Sequence, residues 1–143
     1  MENKLQKELD KIESRKKEIL KELAKPKNDY EKIKTMEDVF TATKVNSKSF
    51  YQKNKGLSDD TLAYEELKLI RKSIVGGWVP NWNDSNEYKY YPYFDMRSGF
   101  GFYATDYVSR STDTNAGSLL CLKTEHEAKY SGATFTAVYK RYL

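Results

Sequence analysis

The sequence predicts an α+β fold: a helical N-terminal half with a long N-terminal helix, then a small antiparallel sheet backed by a C-terminal helix. Three observations predict it. Residues 1–77 are rich in Lys, Glu and Leu, with apolar side chains at helical spacing. Residues 78–143 hold 15 of the 20 aromatic side chains, the enrichment that strands favour. Gly76-Gly77 stands between the halves, and glycine ends helices because it accepts a left-handed backbone without strain. The chain thus divides into a helical arm at 1–25, a helical segment with a basic loop at 26–77, and an aromatic-rich sheet plus C-terminal helix at 78–143. The last two form one compact unit.

The first helix runs from about Glu2 to Lys25, stopped by Pro26. Leu5, Leu9, Ile12, Ile19 and Leu23 form a heptad seam, with Lys16 at its one charged position. Three heptads are short for an independent coiled coil, so the stripe needs a partner. Its own domain, a second copy (a homo-oligomer) or a foreign protein would serve.

Thr35 precedes Met36-Glu37-Asp38 and caps the next helix, with Val39 and Phe40 facing inward. Residues 43–57 lack periodicity and read as a loop, in which Lys44, Lys48, Lys53 and Lys55 flank Phe50 and Tyr51. Lysines interleaved with aromatics suit a phosphate backbone and stacked bases; they also suit an ordinary solvated loop. Ser58 caps a further helix, with Ala63, Leu67, Ile70 and Ile74 on its core face.

Beyond Gly77, Tyr88–Asp95 and Phe100–Val108 are predicted to pair as a hairpin across Met96–Gly99. Ser118–Leu122 reads as a third, buried strand. Thr124 caps a C-terminal helix that carries Ala128, Phe135, Val138 and Tyr142 on one face. Gly132 inside it marks a candidate close contact with the sheet. Alternation puts Tyr88, Tyr90 and Pro92 on one strand face and Lys89, Tyr91 and Tyr93 on the other. Tyrosines left on the outer face fit a protein hot spot or a base-stacking platform; on the inner face they are core.

Composition narrows the class. One cysteine, Cys121, forms no internal disulfide, and no apolar run approaches the length of a membrane span. Met-Glu-Asn-Lys is not followed by an apolar stretch, so no signal peptide is expected. These points predict a cytoplasmic protein without membrane contact. The net charge of +4 lies in residues 1–77, and the aromatic half is neutral.

The inventory argues against most enzymes. With one histidine, His126, and one cysteine, a Cys/His zinc site lacks ligands. Cys121 stands between two leucines and reads as inert, which disfavours a Cys121–His126 dyad. Asp95 and Asp106 at the hairpin's strand ends are the best candidate carboxylate pair. Gly99-Phe-Gly101-Phe lies in a hairpin and not at a strand-to-helix turn, so it reads as a turn and not a phosphate loop. No cofactor, metal or catalytic residue is assigned.

Several segments carry a resemblance: Trp78-Val-Pro-Asn-Trp-Asn-Asp-Ser-Asn, Lys89-Tyr-Tyr-Pro-Tyr-Phe-Asp-Met, Gly99-Phe-Gly-Phe and Gly117-Ser-Leu-Leu-Cys-Leu-Lys-Thr. Together with Thr35-Met-Glu-Asp-Val, they make residues from about 34 to 143 resemble small proteins encoded by prophages and mobile elements of Bacteroides-like bacteria. The arm lies outside the resemblance. Relatives often show arginine and phenylalanine where this chain has Leu119 and Leu122. The resemblance implies a phage origin and a bacterial host cytoplasm, and supplies no active site.

The expectation is a non-enzymatic, phage-encoded inhibitor of a host defence nucleoprotein. It is of the anti-CRISPR type and acts by binding an RNA-guided nuclease or its guide RNA. Tyr90, Tyr91, Tyr93 and Tyr103 would be its anchors, and Lys44, Lys48, Lys53 and Lys55 its phosphate-side contacts. Leu5, Leu9, Ile12, Ile19 and Leu23 are the self-association candidates. The alternatives are a nucleic-acid-binding accessory protein of phage replication or recombination, which would contact RNA or single strands directly, and a virion or assembly component.

Overall fold

A computed structural model describes residues 2–25, 28–97, 101–108 and 118–143, with the backbone alone for 2, 102–108 and 118. Among these, helices predominate. They are α1 (Glu2–Leu23), α2 (Met36–Thr43), α3 (Ser47–Lys53), α4 (Asp59–Val75), α5 (Glu125–Thr134) and α6 (Thr136–Tyr142). One hairpin, β1 (Lys89–Asp95) and β2 (Gly101–Val108), interrupts them, and short 3-10 turns occupy Asp29–Lys32 and Ser118–Leu120.

Helix α4 is the spine. Ala63, Leu67, Ile70 and Ile74 bury the face that their spacing predicts. Helices α2, α5 and α6 pack around it, and the hairpin lies on α5. Val39, Phe94, Leu122, Ala128, Phe135 and Val138 complete the core. Gly76 ends α4 with φ 63°, a backbone that glycine adopts freely.

Two helix starts share one device. At α2, the Thr35 side chain accepts from Asp38 N–H while Asp38 Oδ2 accepts from Thr35 N–H. At α5, Thr124 and Glu127 do the same. Each box satisfies donors that the first helical turn leaves orphaned. Ser58 occupies the cap position of α4 in extended backbone, and its hydroxyl bonds Thr61 Oγ1 at 2.7 Å rather than capping.

Three further expectations are corrected. The predicted loop at 43–57 contains helix α3: Asn46 accepts from Ser49 N–H at 2.9 Å, and Phe50 and Tyr51 meet Phe40 edge-on at 5.3 and 5.6 Å. Two turns are too short to show a stripe, and adjacent aromatics fix them by tertiary contact.

The segment Ser118–Leu122 is a 3-10 turn followed by one bridge, Leu122 to Tyr90. The expected sheet is therefore a two-stranded ribbon on a mostly helical protein. The C-terminal helix is two helices, broken at Phe135, whose φ −110° and ψ 29° leave the helical range. The core draws on side chains from both pieces, Ala128 from α5 and Val138 and Tyr139 from α6, with Phe135 at the break.

The strand faces also differ in role. The pairing Tyr90–Tyr107 and Phe94–Phe102 shifts by one residue between Tyr93 and Phe94, so β2 bulges. Phe94 is buried and Tyr90 packs on the core, while Tyr93 points out.

Helix α1 stands apart in character. Every described side chain on it is exposed, from 48 % at Leu9 to 75 % at Leu23 among its large apolar residues. No helix among the described residues is long and apolar enough to cross a membrane.

Candidate functional site

The four predicted lysines cluster around α3. Lys44 caps the end of α2 in the left-handed conformation, φ 55°, its N–H bonded to Phe40 and Thr41 carbonyls. Lys48 lies in α3, Lys53 ends it, and Lys55 sits in the turn beyond; all four are exposed. The aromatics expected to stack bases are engaged elsewhere: Phe50 and Tyr51 pin α3 to α2.

Between α3 and α4 runs an open groove of about 490 Å³. Ser49, Lys53 and Asn54 line one wall, and Lys68, Leu69 and Lys72 line the other. Lys68 pairs with Glu65 at 2.8 Å, and its ammonium lies 5.0 Å from the centre of the Tyr64 ring. Three lysines against one glutamate leave the groove positive. Asparagine and serine beside them supply neutral hydrogen-bonding groups, a mixture suited to a phosphodiester oxygen. The sequence does not single out Lys68 and Lys72, because the spacing along α4 displays only its apolar face. Their spacing of four, repeated opposite Lys53, is visible only once α3 folds against α4.

The tyrosines divide. Tyr90 is held by backbone bonds to Leu122 at 2.8 and 3.1 Å, and its partly buried side chain packs on the core. Tyr91 is half-buried and lies beside the Cys121 thiol. Tyr93, 55 % exposed, remains on the surface, joined by Tyr88, which was not singled out. The side chain of Tyr103 lies outside the described residues.

At Lys89 the outer strand face is closed by the Trp78–Tyr88 segment. Lys89 is fully buried; its ammonium donates to the carbonyls of Asn81, Glu87 and Asp84 at 2.8, 2.9 and 3.2 Å. Glu87 lies 3.4 Å away as its counter-ion and accepts from Asn81 N–H, and Trp82 covers the head at 5.2 Å. A lysine on a strand thus organises a loop that strand alternation alone would leave to solvent.

Candidate chemistry can be placed residue by residue. Cys121 is buried, and burial pushes its thiol up, against the pull of Arg71, whose Nε donates to the Cys121 carbonyl at 2.5 Å. His126 turns to other partners: Nδ1 meets the Tyr30 hydroxyl and Nε2 lies 3.6 Å from Glu31. Burial, with Glu127 and Glu31 nearby, pushes the Tyr30 phenol up, so it stays a neutral donor and not a nucleophile. This chain of groups ties the 3-10 turn at Asp29–Lys32 to α5.

Asp95 is held by Arg97 at 2.9 and 3.1 Å. Asp106 pairs with Tyr91 in the ladder while Asp95 pairs with Gly101, so the two aspartates stand four rungs apart, roughly 13 Å. That removes them as an acid–base pair; the Asp106 side chain itself lies outside the described residues, as does most of Gly99-Phe-Gly101-Phe. No group of three metal-ligating side chains occurs among the described residues.

The basic groups lie on and beside α3 and α4, and the exposed tyrosines on β1 and just before it. Comparison with known proteins adds no assignment: no family model, no curated protein and no solved structure matches the chain.

Proposed function

We propose that this protein is a non-catalytic binder of a nucleic-acid-bearing partner, which it occludes by seating a phosphate backbone in the α3–α4 groove. The observation that supports this reading is the convergence of Lys53, Lys68 and Lys72 on one open groove, with Lys44, Lys48 and Lys55 around α3. Tyr93 and Tyr88 would serve as a second contact with the protein part of that partner. The resemblance to prophage-borne proteins suggests the partner class: a host defence nucleoprotein such as an RNA-guided nuclease, met in the bacterial cytoplasm.

The test is fluorescence anisotropy against three probes: labelled single-stranded RNA, labelled single-stranded DNA, and an RNA-guided nuclease loaded with labelled guide. Measurements run across a salt series with the wild type and K53E/K72E. Preference for the loaded nuclease, lost in the variant together with inhibition of cleavage, supports the proposal. Equal and steeply salt-dependent binding of the free strands moves the reading to an accessory protein of replication or recombination. Absence of binding to all three sinks both.

A further inference from the structure

We infer that α1 pairs antiparallel with α1 of a second copy of this chain, offset so that Leu9 of each faces Ile12 of the other and Arg15 of each faces Glu8 of the other. The apolar stripe of α1 is uncovered by its own domain, with Leu5, Leu9, Ile12 and Ile19 each about half exposed or more. Charge decides what covers it. Leu5, Ile12 and Ile19 hold one core position of the heptad; Leu9, Lys16 and Leu23 hold the other. Glu8, Arg15 and Glu22 flank the core on one side, and Gln6, Glu13 and Leu20 on the other.

A parallel pair sets Lys16 against Lys16 in the core and Glu8 against Glu13 at the rim, all like charges. An antiparallel pair centred on the helix sets Glu8 against Glu22, Arg15 against Arg15 and Glu13 against Glu13, again all alike. Shifting that pair one heptad towards the N-terminus removes every clash. Arg15 then meets Glu8 twice, and Gln6 meets Glu13. The two central layers become Leu9 with Ile12, and Lys16 moves to the outer layers, where its stem covers Leu5 and its ammonium reaches water. The opposite shift brings Arg15 to Glu22 but confines both Lys16 side chains to the two central layers, where a desolvated charge is costly.

Sedimentation equilibrium of the full chain over a concentration series tests the pairing. Among the described residues no α1 side chain belongs to the core, so substitutions there are expected to leave the body folded, which circular dichroism verifies. A dimer is expected for the wild type. Arg15→Glu converts two attractions into two repulsions and should weaken it roughly tenfold or more. Adding Glu8→Arg should restore it, whereas adding Glu22→Arg should not, and L9E/I12E should be monomeric. A wild type that stays monomeric throughout, an Arg15→Glu dimer of unchanged affinity, or rescue by Glu22→Arg instead of Glu8→Arg each overturns the inference. The groove variant K53E/K72E leaves the dimer intact, which separates this result from the proposed binding function.

Discussion

Arg141 of α6 donates from Nη1 to the buried Glu66 of α4 at 2.9 Å, and from Nε to Asp59 at 2.9 Å. Tyr51 of α3 lies near the same pair: burial, with the Glu66 charge close by, pushes its phenol up. One arginine therefore ties α6 to α4 at two points, the first turn at Asp59 and the buried carboxylate at Glu66.

Breaking that tie unevenly should cost the most. Arg141→Met leaves Glu66 buried without its cation and should destabilise the protein by about 3 kcal/mol. The double variant E66L/R141M removes both charges and should recover most of the loss. Urea unfolding of the two variants measures this; equal loss in both would show that packing, and not the unpaired charge, sets the cost.

Lys89 gives a second expectation. Lys89→Met keeps the stem under Trp82 but leaves three carbonyls without their donor. A loss of about 2–4 kcal/mol is expected. It should be concentrated in the Trp78–Tyr88 segment, where amide exchange would accelerate and Trp82 emission shift to the red. A variant with wild-type exchange there would show that the loop holds itself without the ammonium.

Asp38 and Glu127 hold the same position in two capping boxes and should respond oppositely to pH. Hydrogen bonds from the Lys34 and Thr35 amides, at 2.9 and 3.0 Å, hold Asp38 below its ordinary 3.8. Its contribution is present above 3.8 and is lost as pH falls through the lowered value. Burial pushes Glu127 above its ordinary 4.5, against the pull of the Lys123 and Thr124 amides. The folded state then binds its proton more tightly than the unfolded one, so stability falls as pH rises from 4.5 through the raised value. Asp38→Asn should destabilise at neutral pH and converge on wild type in acid. Glu127→Gln keeps an acceptor for the amides and removes the buried charge. It should equal or exceed wild type at pH 7, with the advantage gone below 4.5. Unfolding midpoints across pH decide both, and an Asp38-like profile for Glu127→Gln would reverse the assignment.

Tyr90 and Tyr93 should separate stability from binding. Tyr90→Ala opens the core at the Leu122 bridge and should cost about 3 kcal/mol. Tyr93→Ala should change stability by less than about 0.5 kcal/mol and reduce affinity for a protein-containing partner. Thermal melts and anisotropy on the same samples test the pair of outcomes; a binding loss from Tyr90→Ala alone, in a folded protein, would return the anchor to Tyr90.

Local rules, applied to the sequence, determined the starts of α2 and α5, the core face of α4 and its end at Gly76. A threonine followed three residues later by a carboxylate, or apolar side chains at 63, 67, 70 and 74, carries its meaning within one helix. The stripe of α1 was legible for the same reason. Tertiary structure alone decided what depends on residues far apart in the chain. Helix α3 forms because Phe40 receives Phe50 and Tyr51. The groove exists because Lys53 comes to lie opposite Lys68 and Lys72. Lys89 is buried because a loop closes over a strand face that alternation cannot assign to water or core. Tyr90 and Tyr93 look alike in sequence, and only the packing of the hairpin on α5 sets one against the core and leaves the other out.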